Sequence, residues 1–244
     1  MHERGTTPAV VAALCVFASA CAPTMPSWSG ARTTPSGRLD LAAGAAIRVP
    51  VGELSPRDPT TTEPRQRTLA LMAAGGVSPG ASARVGLGDA ADLGIRVIGA
   101  TAQVGLRSAV TLDDERTVRL MLGIAPFAGL LADHENGNGW RAGVELPVTL
   151  GWEIGGLYEI AFGVRAAGEH LRGDVGAVGG PTSALEAWHW RVGAVLGVGV
   201  GFRRLFAFVE LAADYEWLVA TLDGADSGAA GISLTPAFAL RWRL

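Results

Sequence analysis

Charged residues recur at every second position along much of this chain, and their spacing is the first indication of chemistry. Arg48, Arg84, Arg96, Arg107, Arg119, Arg141, Glu145, Glu159, Arg165, Arg191, Glu210, Asp214, Arg241 and Arg243 each stand in a run whose alternate residues are apolar, and Arg38 and Asp40 open the first such run. If these runs are strands, every charge converges on one face, because successive side chains point to opposite sides. Guanidinium groups facing carboxylates form charge-assisted pairs, so a closed interior of this composition is expected to fill itself with an ionic network. An excess of arginine over acid also allows a second expectation, a narrow pore favouring anions. The many Gly and Ala residues on the charged face keep that pore open as an alternative.

Three histidines beyond residue 20 are the other candidates for chemistry. His134 lies between Asp133 and Glu135, His170 in a polar stretch, and His189 on the charged face of a run. No serine or acid stands beside them in a hydrolase motif, so no enzyme is expected, and a hydrolase acting on lipid at a rim is the alternative. Asp133, Glu135, Asn136 and Asn138 offer oxygen ligands, but their spacing fits no calcium loop. Cys21 is the only cysteine after Cys15, which excludes a cysteine zinc cluster and, if the leader is removed, an internal disulfide. No metal and no cofactor is expected. A net charge of −3 gives no basic surface for nucleic acid.

Strands must position these groups. The last run, 232–244, places Ile232, Leu234, Phe238, Leu240, Trp242 and Leu244 on one face and Ser233, Thr235, Arg241 and Arg243 on the other. Typical strands have about 5–6 residues, whereas a tilted strand needs about 9–11 to cross a bilayer. Similar runs begin at 38, 81, 93, 103, 117, 140, 158, 188 and 205. The segment 66–88 is the least regular: 69–74 suits a strand or a short helix, Ser78-Pro79-Gly80 interrupts it, and the whole is taken as one bent strand, with a separate hairpin as the alternative. Mean hydropathy is high at +0.29, yet beyond the amino terminus no apolar run reaches the length of a helical span.

An antiparallel up-and-down transmembrane β-barrel of about ten strands is therefore expected, with eight or twelve as alternatives. Connections at 52–65, 99–102, 132–139, 167–185 and 219–230 are mostly long, 99–102 being the exception, and those at 88–91, 112–115, 153–156 and 201–204 short, which matches long outer loops and short periplasmic turns. The aromatic residues fall at the ends of runs on the apolar face. Trp140, Trp188, Trp190, Tyr215 and Trp217 would form one girdle and Trp152, Tyr158 and Trp242 the other.

The closing run ends on an apolar residue with an aromatic two before it. In this it resembles the last strand of bacterial outer-membrane β-barrels, which implies outer-membrane lipids and the barrel-assembly machinery as partners and the cell outer membrane of a Gram-negative bacterium as location. The string 84–96, Arg-Val-Gly-Leu-Gly-Asp-Ala-Ala-Asp-Leu-Gly-Ile-Arg, is similar to a hairpin of uncharacterised barrels of that kind. Residues 1–20 read as a signal peptide: His2 and Arg4, an apolar core over 10–17, then Ala18-Ser19-Ala20. Ala18-Ser19-Ala20-Cys21 resembles a bacterial lipobox, with Ala18 where that family usually has Leu, and implies acylation of Cys21. Residues 21–37, rich in Pro, Ser, Thr and Gly, read as a flexible tether to a barrel domain at 38–244.

Overall fold

In a computed structural model, backbone pairing along the alternating runs closes ten antiparallel strands into a ring. The structure describes residues 26–244 apart from 29, 56–62, 74, 114, 116, 134–136, 177–181 and 203. The ring runs through β1 (Leu39–Val51), β2 (Gly76–Gly86), β3 (Ala91–Ile98), β4 (Thr101–Thr111), β5 (Val118–Asp133), β6 (Gly137–Ile154), β7 (Tyr158–Gly176), β8 (Thr182–Phe202) and β9 (Leu205–Leu222). It passes next to β11 (Ala229–Arg243) and closes where β11 pairs with β1, from Asp40↔Arg243 to Val51↔Ile232. The two-residue β10 (Ala225–Asp226) folds back on β9 outside the ring.

Strand length divides the wall into a low side and a high side. β3 has 8 residues and β4 has 11, while β6 to β9 have 18 to 21. The extra length corrects three expected loops. The stretch 167–185 is mostly the paired ends of β7 and β8, 132–139 continues β5 and β6, and 219–230 is largely β9, β10 and β11. Apolar side chains change sides there while the backbone does not. Below this level Val192, Leu196 and Val200 of β8 point outward; above it Leu185 and Ala187 point inward and Glu186 outward. Backbone pairing continues above the apolar band, where the outer face meets water and the inner face a dry plug.

The segment 66–88 is not one bent strand. Helix α1 (Pro64–Met72) precedes β2, with proline at its first turn and Ala73 N–H donating to the Leu69 carbonyl at 2.8 Å at its end. Thr68, Leu69, Ala70, Leu71 and Met72 are all buried, the signature of a helix enclosed on every side. Leu69, Leu71 and Met72 meet Leu54, Leu131, Leu171, Val175, Leu185, Leu218 and Leu222 in one apolar cluster. This helix closes the mouth of the barrel at its high end.

Residues 26–37 are not a free tether. From β1 the chain turns at Gly37, φ 69°, in the position a type II turn reserves for glycine, with Arg38 N–H on the Pro35 carbonyl at 3.0 Å. Traced back toward the amino terminus, it then rises inside the ring as a strap. Thr34, Thr33, Ala31, Gly30 and Trp28 are buried within it. Residues 1–25, including Cys21 and the signal segment, lie outside the described residues, as does His134.

Candidate functional site in the barrel lumen

Each inward charge is presented by the alternation of its strand, and together they fill the lumen in three levels. At the short-turn end Asp92 is the hub. It receives Arg107 through two bonds of 3.0 and 2.5 Å, Arg84 at 2.6 Å and the Thr34 N–H of the strap at 2.8 Å. Glu159 accepts from Arg241 at 2.5 Å and from Arg243, and lies 3.3 Å from the Ala31 nitrogen. Arg241 Nε also lies 3.6 Å from Asp40.

At mid-height Arg165 grips Asp214 with two bonds of 2.9 and 2.5 Å, Arg96 bonds Gln103, and Arg191 stands 3.6 Å from Glu145. Glu210 takes three bonds from the strap: Ser27 N–H at 2.7 Å, Ser27 Oγ at 2.6 Å and Trp28 N–H at 2.9 Å. Below the helix, Arg141 holds Glu169 through paired bonds of 2.6 Å each. His189 stands between two acids, Nδ1 2.7 Å from Glu169 and Nε2 2.8 Å from Glu216. Glu216 also accepts from Arg48 at 2.5 Å and from the Ser233 hydroxyl, and Arg48 reaches the Met72 carbonyl of α1 at 3.3 Å.

Of the charges expected inside, Arg48, Arg96, Arg107, Arg141, Glu145, Glu159, Arg165, Arg191, Glu210, Asp214 and Arg241 are buried there. Arg84 and Arg243 are half-buried in the same network, while Arg119 is half-buried near the short-turn end of β5 and makes no ion pair among the described residues. Arg38 is exposed at the rim. Asp92, Glu169 and Glu216 join the set and bring acid close to parity with arginine, so the arginine excess behind the anion-pore expectation largely disappears. Glu216 shares the polar face of the Glu210 and Asp214 run. Glu169 sits in the stretch whose polarity concealed a strand, and Asp92 at a strand's first turn.

Aromatic rings and the strap fill the space beside many of the small inward residues. Phe206 and Phe208 of β9 lie over the inward glycines of β8: a Cβ on Gly197 would come within 2.6 Å of the Phe208 ring, and one on Gly201 within 2.3 Å of Phe206. The Arg241 and Arg243 guanidinia sit over Phe206, and Arg141 and Arg191 over Phe127. The strap takes up other gaps, Ala31 against Gly151 and Trp28 against Gly80. Between Ser27, Glu145, Arg165 and Glu210 only about 10 Å³ remains, near the room one water needs. Trp28 is the seventh tryptophan, the one away from the girdles; a large aromatic in a Pro-, Ser- and Thr-rich stretch is the signal that could have identified the strap.

The outer face is the reverse of the lumen. Val164, Val192, Leu196, Val209, Leu211, Phe238 and Leu240 are exposed there. Trp140, His170, Trp188 and Trp190 form a ring contact series at one end of this apolar band, with centroid distances of 5.5, 4.9 and 6.0 Å, and Tyr215 meets Trp217 at 6.0 Å beside it. Trp190 lies flat over Gly168, where a Cβ would meet its ring at 2.4 Å. Trp152, Tyr158 and Trp242 point outward at the other end. An apolar exterior girdled by aromatics around a charged interior places this wall in lipid. Above the first girdle the wall turns polar, with a groove of about 560 Å³ lined by Asn138, Trp140, Arg172, Asp174, Glu186 and Asp223. Asn138 is thus in that groove, and no group of acids, histidines or cysteines placed to hold a metal occurs among the described residues.

No protein-family model matches this chain, and no curated protein does. Among solved structures it is similar to the Neisserial surface protein A at 8% identity and TM-score 0.37, covering 84% of this chain and 95% of that one. The outer-membrane protease OmpT of Escherichia coli aligns at 9% identity and TM-score 0.47, over 91% of this chain and 100% of that one. Ail, the attachment invasion locus protein of Yersinia pestis, aligns at 10% identity and TM-score 0.33, over 86% and 99%. Likenesses this distant carry no activity across, and the function rests on this chain's own residues.

Proposed function

We propose that the protein is an outer-membrane β-barrel with a stoppered lumen, a membrane-fixed support for the high wall of β5 to β9 and not a conduit. The observation that carries this is the double closure, α1 at one end and the strap at the other with a paired ionic network between. Short turns join β2 to β3, β6 to β7 and β8 to β9 at the end where the strap enters, and short turns in barrels of this kind face the periplasm. The high wall and its polar groove then stand outside the cell, suited to a structural or adhesive role. Acylation at Cys21 belongs to the same proposal; intact mass should show an adduct that Cys21→Ala removes.

Hydrolysis has little support in this geometry. Both nitrogens of His189 face carboxylates, so neither is free to take a proton from a nucleophile, and α1 covers the cluster. Planar bilayers test the main reading. Purified protein should insert with no unitary conductance steps, and steady steps from the intact chain would overturn the stoppered lumen.

A further inference from the structure

The short-turn rim carries two arginines, Arg38 and Arg204, that the lumen network does not absorb, beside two that it does, Arg32 and Arg243. Arg204 lies at the β8–β9 turn and stands opposite Arg243, whose N–H donates to the Arg204 carbonyl at 2.8 Å. Arg243 in turn stands opposite Asp40 of β1, two residues from Arg38. Three consecutive positions around the ring thus bring Arg38, Arg243 and Arg204 to one edge. Arg32 of the strap joins them from inside, in a pocket of about 370 Å³ also lined by Thr34, Pro35, Leu39, Asp40 and Leu244.

Like charges directly opposite each other on neighbouring strands are unfavourable, so an anion held between Arg204 and Arg38 would relieve the repulsion at this edge. The acid side chains nearby face arginines other than Arg38 and Arg204. Glu159 serves Arg241 and Arg243, Glu153 serves Arg32 at 3.2 Å, and Asp40 lies between Arg241 and Arg243. Arg38 and Arg204 are exposed and make no ion pair among the described residues. The pocket opens beside Leu39, Leu244 and Leu205, the last apolar residues of the lipid face, at the level of Trp242.

We propose that this rim pocket is a phosphate site, with Arg38 and Arg204 as its primary ligands and Arg243 behind them, suited to the phosphodiester of a phospholipid headgroup. Guanidinium forks match the paired oxygens of a phosphate, and the adjoining leucines suit the acyl chains that follow it. The proposal rests on this end lying at a membrane surface, and its test is separate from the conductance that tests the stoppered lumen.

The experiment compares folded wild-type protein with Arg38→Gln/Arg204→Gln in detergent by native mass spectrometry. Phosphatidylglycerol and a diacylglycerol of the same chains are supplied in equal amounts. Wild-type protein should retain phosphatidylglycerol at least tenfold over diacylglycerol, and the double variant should lose that preference while keeping its heat-dependent gel shift. If the pair fails to fold, Arg38→Gln alone, which precedes the first strand, replaces it. Titration with inorganic phosphate followed by ³¹P NMR distinguishes the sources: phosphate binding that matches the lipid makes this a free-phosphate site, and lipid binding alone makes it a headgroup seat. Equal retention of the two lipids with no phosphate binding, or binding unchanged by the substitutions, overturns the proposal.

Discussion

The two stoppers of this barrel close the same lumen by opposite means. The lid at the high end is apolar, with Leu69, Leu71 and Met72 of α1 packed among inward leucines of β5, β7, β8 and β9. The strap at the other end is polar, its backbone N–H groups and the Ser27 hydroxyl delivered to Glu210, Glu159 and Asp92. Burial of apolar area is non-directional and tolerates shifts in position. A buried carboxylate shared between an arginine and a strap amide tolerates little, because removing any member leaves a group without its partner in a dry interior. The lid therefore resembles a cork and the strap a key.

That contrast can be broken in a definite order. Asp92→Ala should have the largest effect, about 3–5 kcal/mol of lost stability in urea titration of the folded barrel, since the buried Arg107 and the half-buried Arg84 then lose their acid. Leu71→Ala in the lid, fully buried, should lose about 2–5 kcal/mol and fall nearer the low end if α1 settles into the cavity. An equal loss with no resettling would mean the lid is as exacting as the strap. Glu210→Ala should act mainly on the strap, speeding hydrogen exchange at the Ser27 and Trp28 amides by an order of magnitude or more while leaving α1 amides unchanged. Simultaneous loosening of both segments would show one stopper where two are described.

The smallest effect is a control outside both regions. Asp113, half-buried in the β4–β5 turn, accepts from the Thr117 N–H at 3.0 Å, the Thr117 hydroxyl at 2.5 Å and the Val118 N–H at 2.8 Å. The hydroxyl bond first, then the amides, hold its carboxyl below its ordinary value of 3.8. A depressed carboxylate contributes stability that is full above 3.8 and is lost as pH falls through the lower folded value. Asp113→Asn should flatten the acid limb of turn stability, read by exchange at Val118, and leave both stoppers unmoved.

The ring itself was legible because lipid on one face and charge on the other enforce strict alternation, as in 205–217 and 232–244. Legibility failed where the surroundings changed while the backbone did not. At Arg172, Asp174 and Glu186 the outer face leaves lipid for water, and at Leu171, Val175 and Leu185 the inner face leaves the ionic network for the lid. A reading that equates apolar with lipid-facing must lose the strand at that point. The helix was obscured for a related reason, since Thr68 to Met72 is enclosed on all sides and shows no stripe. The candidate site was half legible: arginines announced themselves, but Glu169, Asp92 and the strap lay in stretches whose polarity suggested loops.

The strap precedes β1 in the chain, and β1 forms one side of the seam at which β11 closes the ring. That seam joins the segments most distant in sequence, the kind of contact that forms late because its loop entropy must be overcome first. Trp28, Ala31 and Thr34 are enclosed around their circumference by the finished wall. A strap seated on Glu210, Glu159 and Asp92 anchors the start of β1 inside the ring, so the first residues of the fold brace the edge on which the last strand completes the circle.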